Sequence, residues 1–198
     1  MQPQDFRQRT PVRRVTHSSQ TEYTKFKPEL REDFNERCGY CGDHDFFRTT
    51  YYEIDHFRPQ KRFPEIAPNT YSNLVYSCRS CNNSKRKKWP TDDVNLPNDG
   101  HVGFVDPCDA DYATYFKRGI DGSIVPISEL GTWMWKNLNL GNPIHRVTWS
   151  LEQLRKNIIS LQKLSESSSL NPDDAKSLLS IVGQYFSYEE QLKGVPHF

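Results

Sequence analysis

In the stretch EIDHFRP, residues 53–59, an aspartate and a histidine, Asp55 and His56, stand side by side. They fall between two Cys-x-x-Cys pairs, Cys38/Cys41 and Cys78/Cys81, which have 36 residues between them. One such pair alone reads equally as a redox dithiol or as coincidence. Two pairs at the same short spacing supply four thiolates, the ligand set of a closed tetrahedral zinc site. The glycines of CGYCG, Gly39 and Gly42, suit the tight backbone knuckle that such a pair requires. A four-thiolate zinc has no open position, so it holds structure and does not catalyse. Cys108 is left over, as a buried or inert thiol.

Asn82 directly follows the last cysteine of the second pair. If zinc pins a helix beginning near Cys78 against the strand that carries Asp55, Asn82 is held close to Asp55. A carboxylate oxygen and an amide oxygen together suit a hard cation, Mg²⁺ or Mn²⁺. His56 beside that ion is placed to act as general base on a water molecule. Consecutive side chains of a regular strand point to opposite faces, so the scheme requires a bend or a strand end at Asp55–His56. Pro59 is consistent with either.

The elements that must position these residues are legible in outline. PELREDFNER, from Pro28, predicts a short helix with proline at its first position. FFRTTYYEIDHF is dense in aromatic and β-branched residues and predicts one or two strands. RPQKRFPEIAPNT is a loop, and YSNLVYSCRSCNNSKRKKW passes from an extended piece into a helix. After Pro90 come a long connection, a hairpin around IDGS, and helices. Leu151, Leu154, Ile158, Leu161 and Leu164 fall at helical spacing, and Asn171 is a candidate N-cap.

Hydrophobic residues make up 35% of the 198-residue chain, and aromatics 13%, so the core must be aromatic-rich and helped by something besides burial. Five cysteines with no apolar leader or membrane-length apolar run imply a cytoplasmic protein whose thiols bind metal. The net charge of +1 hides a partition: residues 1–28 sum to +4, 29–47 to −4, 48–90 to +6 and 91–198 to −5. The basic centre surrounds Asp55 and His56 and suits a polyanion. Within it Arg86, Lys87 and Lys88 are candidates for nucleic-acid contact, although KRKK alone reads equally as a solvated run.

The ordered set Cys38, Cys41, Asp55, His56, Asn73, Cys78, Cys81, Asn82 and Lys85 resembles the HNH endonuclease family, the ββα-metal nucleases. The resemblance covers roughly residues 30–90. It implies an α+β fold with a treble-clef-like zinc core followed by a mostly helical C-terminal region. It also implies that Asp55 and Asn82 hold the catalytic metal, that His56 is the general base, and that Asn73 orients the loop holding the base. Lys85 matches the family lysine as a phosphate contact; Arg58, Arg62 and Arg79 are further candidates for that role. On this reading residues 1–27 are a basic arm, 28–110 the nuclease domain with its four-cysteine zinc, and 111–198 a hairpin and helices that dock a partner.

The longer segment resembles the small HNH proteins encoded beside an ATPase in bacterial anti-phage systems of the Septu or retron-associated kind. That resemblance implies an effector working with an ATPase partner, on DNA, with RNA left open. The alternative is a non-catalytic zinc module that binds nucleic acid or protein.

Overall fold

The computed structural model of the chain describes residues 4–47, 51–167 and 171–194. The fold is α+β, as expected. A two-residue strand β1 (Gln4–Asp5) and helix α1 (Lys27–Asp33) precede an antiparallel ribbon, β2 (Tyr52–His56) with β3 (Leu74–Cys78). Helix α2 (Arg79–Lys85) follows β3 without a loop. The hairpin β4 (Phe116–Arg118) and β5 (Ile124–Pro126) comes next, then α3 (Glu129–Asn137), α4 (Pro143–Ser167) and α5 (Pro172–Gly194).

Helix α1 stops at Asp33, short of the expected end. Asn35 and Glu36 take left-handed φ values of 54° and 61° and turn the chain toward Cys38. FFRTTYYEIDHF gives one strand rather than two: Asp45–Phe47 form a 3-10 turn, and residues 48–50 lie outside the described residues. The IDGS hairpin and the two long helices lie where the sequence puts them, and Asn171 Oδ1 caps α5 by accepting from Asp174 N at 2.8 Å.

The basic N-terminal segment is a strap bound to the rest of the molecule. β1 pairs with β4, so β1, β4 and β5 form one three-stranded sheet. Arg13 grips both carboxylate oxygens of Asp106 at 3.0 Å and donates to the Leu74 carbonyl at 2.7 Å. Arg14 is paired with Asp33 and Glu32. The expected boundaries at 27/28 and 110/111 therefore fall inside one core, which includes Phe6, Leu30, Val75, Tyr112 and Leu138. A second, smaller cluster of Phe47, Ile144, Val147, Leu151 and Leu192 seats the α4–α5 pair on it. Two polar ties join α4 to the first cysteine turn. Buried His145 Nδ1 lies 2.6 Å from Asp43 Oδ2, and Arg37 grips Glu152 at 2.6 and 2.9 Å. No sequence pattern assigns a role to His145, which proves to be a structural bridge.

Candidate active site

The four cysteines converge. All four sulfurs lie within 4.8 Å of one another and all four residues are buried. Cys41 Sγ and Cys78 Sγ are 3.8 Å apart. Four sulfurs arranged tetrahedrally at ordinary zinc–thiolate distance lie about 3.8 Å from each other, the separation of this pair, and the cluster as a whole suits zinc. Burial works against ionisation of Cys38, yet hydrogen bonds from Cys41, Cys78 and Cys81 hold it well below the usual thiol range. Burial, with the neighbouring sulfurs, pushes Cys41 and Cys81 well above it. A cation at the centre of the cluster would favour the thiolate form of its ligands.

The first cysteine turn is built by its glycines. Gly42 has φ of +75°, and a Cβ on Gly39 would come within 2.7 Å of Phe34 and 2.8 Å of Val75. Gly39 N donates to the Tyr76 carbonyl and docks the turn on β3.

Helix α2 has seven residues, two of them asparagine, and would not persist in isolation. Its fourth-residue periodicity sorts its side chains. Cys81 and Lys85 share the buried face, while Asn82 and Arg86 share the next face round. Zinc ligation and the burial of Lys85 thus hold a helix whose propensity is weak.

The strand stays paired through its last residue, Asp55 opposite Val75 and His56 opposite Leu74. There is no bend at Asp55–His56; of the two required conditions, the strand end is the one met. The two side chains take different directions. Asp55 is buried, and its Oδ2 accepts from Tyr40 Oη at 2.5 Å and is ion-paired with Lys85 Nζ at 2.9 Å. His56 Nε2 lies 2.8 Å from the Pro68 carbonyl oxygen, and its ring meets Tyr23 edge-on at 4.7 Å. Both nonetheless line one open cavity of about 500 Å³ at the strand end, together with Asn82, Lys61, Arg86 and Lys87.

Two oxygens in this cavity are available to a cation. Asp55 Oδ1 has no hydrogen-bond partner among the described residues, since both contacts fall on Oδ2. Asn82 Nδ2 donates to Glu53 Oε2 at 2.7 Å. A carboxylate only accepts, so Glu53 fixes which end of the amide is nitrogen and leaves Asn82 Oδ1 free. The donor set is all oxygen, which fits Mg²⁺ or Mn²⁺ better than a softer ion.

The remaining sequence candidates divide by position. Asn73 is buried and holds the segment after His56 at both ends: its Oδ1 accepts from Arg58 N at 2.8 Å and its Nδ2 donates to Arg58 O at 3.1 Å. Lys85 is enclosed, with its ammonium on Asp55 and on the His56 carbonyl, away from any position where it could meet a phosphate. Arg58 donates to the Val94 carbonyl, Arg62 pairs with Asp92, and Lys88 reaches the Asn137 carbonyl. Arg79 stands 3.9 Å from Glu53. Of the basic candidates, Arg86 and Lys87 line the cavity, joined by Lys61. Tyr40 was missed, and no sequence signal marks it: it stands with Gly39 between the cysteines of CGYC and is brought to Asp55 only by the fold.

Residues 38–88 match the family model described as HNH endonuclease. A 72-residue segment is 38% identical to the Septu protein PtuB of Bacillus mycoides (strain KBAB4), covering 30% of this chain and 24% of that protein. The matched segment thus spans about a quarter of that relative's length. No solved structure matches the chain. No helix among the described residues is long and apolar enough to cross a membrane.

Proposed function

With an HNH endonuclease domain at residues 38–88 as the premise, we propose that the chain hydrolyses phosphodiester bonds of DNA at the cavity of Asp55, His56 and Asn82. The observation that carries this reading is the contact of His56 Nε2 with the Pro68 carbonyl oxygen. A carbonyl oxygen only accepts, so the contact with Pro68 puts the proton on Nε2 and leaves Nδ1 as the basic nitrogen. His56 Nδ1 takes the proton of the attacking water as its oxygen bonds to phosphorus, and the bond from phosphorus to the 3′ oxygen breaks. The products are a 5′-phosphate and a 3′-hydroxyl. Asp55 Oδ1 and Asn82 Oδ1 are the groups that would hold a divalent cation, which when bound supplies charge neutralisation at the phosphoryl oxygens and the departing oxygen. Lys61, Arg86 and Lys87 draw the polyanion to the cavity. Asn73 keeps the segment after His56 in place, and Lys85 holds the dipeptide from behind.

The likeness to a Septu protein supports a place in anti-phage defence, as the nuclease effector beside an ATPase. The α4–α5 helices, which carry little of the core, are the surface proposed to dock that partner.

The test is cleavage of supercoiled plasmid in Mg²⁺ or Mn²⁺ by wild type and His56→Ala. The substitution is expected to abolish nicking while zinc content and melting temperature stay unchanged. Cleavage by His56→Ala at the wild-type rate would overturn the mechanism. DNA binding by the wild type without cation-stimulated cleavage would favour the non-catalytic module.

A further inference from the structure

The match to the nuclease family begins at residue 38, yet a residue well before it touches the general base. Tyr23, first residue of the 3-10 turn Tyr23–Phe26, meets the His56 ring edge-on, with ring centres 4.7 Å apart and planes at 64°. Tyr23 is half-buried and packs against the main core.

This contact is one of three. His17 stacks on Tyr71 with ring centres 4.4 Å apart, and the Gln20 carbonyl accepts from Asn69 Nδ2 at 2.9 Å. The strap thus meets the segment 56–71 in antiparallel order, residues 17, 20 and 23 against 71, 69 and 56. It is itself tied down there. Ser18 N donates to both carboxylate oxygens of Glu29 at 3.2 and 3.3 Å, and buried Phe26 meets the rings of His17 and Tyr71 edge-on.

The His56 ring has one hydrogen bond among the described residues, from Nε2 to the Pro68 carbonyl oxygen at 2.8 Å. One bond fixes one ring atom and leaves the ring free to tilt about it, because χ2 of histidine lies in a broad, two-fold well. Tilting displaces Nδ1, the nitrogen that takes the proton from water. The Tyr23 ring stands against that tilt. The strap also acts on the hydrogen bond itself: Pro68, which supplies the carbonyl, precedes Asn69, which Gln20 holds. Both restraints on the ring therefore trace to residues 17–23, outside the family-matched segment.

We propose that Tyr23 is a positioning residue for the general base, and that the strap from His17 to Tyr23 completes the active site. As far as cleavage is concerned the proposal rests on the nuclease reading; the hold on the His56 ring does not.

The experiment uses the zinc-loaded full chain as wild type, Tyr23→Phe and Tyr23→Ala. It measures plasmid cleavage in Mg²⁺ and, by the ring ¹⁵N shifts at a pH where the histidine is neutral, the tautomer of His56. Wild type and Tyr23→Phe, which keeps the ring, are expected to hold His56 as the Nε2–H tautomer and to cleave alike. Tyr23→Ala should show a mixture of tautomers and a kcat about tenfold lower, with KM for DNA and half-saturating Mg²⁺ unchanged. An unchanged tautomer in Tyr23→Ala overturns the proposal whatever the rate. So does a loss in Tyr23→Phe equal to that in Tyr23→Ala, or a raised KM at constant kcat, since either makes Tyr23 a direct contact of the substrate. Should Tyr23→Ala fail to fold, Asn69→Ala, which breaks only the tie to Gln20, decides in its place by the same two measurements. A wild type that does not cleave would sink the nuclease reading, and the tautomer comparison would still decide whether the strap holds the ring.

Discussion

Lys85 and Asp55 form a buried ion pair, with Nζ 2.9 Å from Oδ2 and the lysine side chain fully enclosed. The same ammonium donates to the His56 carbonyl oxygen at 2.9 Å. One cation therefore holds the side chain of one residue of the dipeptide and the backbone of the other. It is buried and is not among the residues that line the cavity.

Lys85→Met is expected to strand the Asp55 carboxylate and lower stability by about 3–5 kcal/mol in urea denaturation. Cleavage should fall through kcat with little change in KM. A lysine in direct contact with substrate phosphate would give the reverse pattern, a raised KM at unchanged stability.

Glu53 acts on Asn82 by fixing the orientation of its amide. A glutamine there can donate as well as accept, so Glu53→Gln should let the Asn82 amide rotate. The half-saturating concentration of Mg²⁺ in the plasmid assay should rise about 10–100-fold, with kcat kept at saturating cation. An unchanged Mg²⁺ curve would rule this role out.

Glu152 links α4 to Arg37 in the segment leading to the zinc cluster. Burial raises its pKa, but hydrogen bonds from Arg37 and Lys156 outweigh that and hold the carboxyl at about 2 against an ordinary 4.5. A depressed carboxylate stabilises the fold above its unfolded-state pKa, and that stability is lost as pH falls from about 4.5 toward 2. Glu152→Gln should cost about 1–3 kcal/mol at pH 7. The difference in stability between wild type and variant should shrink across that acid window, which removes the contribution of thiolate protonation common to both proteins.

Chelation of zinc should unfold the ribbon and α2 together, because the helix has little stability of its own. Cys81→Ala should do the same, while Cys108→Ala should leave zinc content and circular dichroism unchanged. Burial pushes the Cys108 thiol up to about 11, so it should react slowly with thiol reagents at neutral pH.

What could be read from sequence was what depends on short spacing. The cysteine pairs, the asparagine after Cys81 and the strand-to-helix passage at Cys78 are local patterns, and each lies where it was expected. The resemblance puts Lys85 on phosphate, but spacing says nothing of what packs on a helix face; its ion-pair partner is thirty residues earlier in the chain, on another element. Tyr40 escaped notice for the same reason, and so did His145, which meets Asp43 across 102 positions. The sequence reads the strap only as a basic arm because its arginines carry no periodic signal. Their partners, Asp106, Asp33 and backbone carbonyls, are supplied by the tertiary fold.

The strap also orders events in time. Gln4 pairs with Arg118, so β1 has no neighbour until the hairpin, more than a hundred residues later, has been made. All four zinc thiols precede that hairpin in the chain, so a nascent chain can capture its metal while β1 is still unattached. Contacts of such long sequence separation close late in folding. The ribbon and α2 can thus assemble around the ion first, and the N-terminal segment then seals the finished domain.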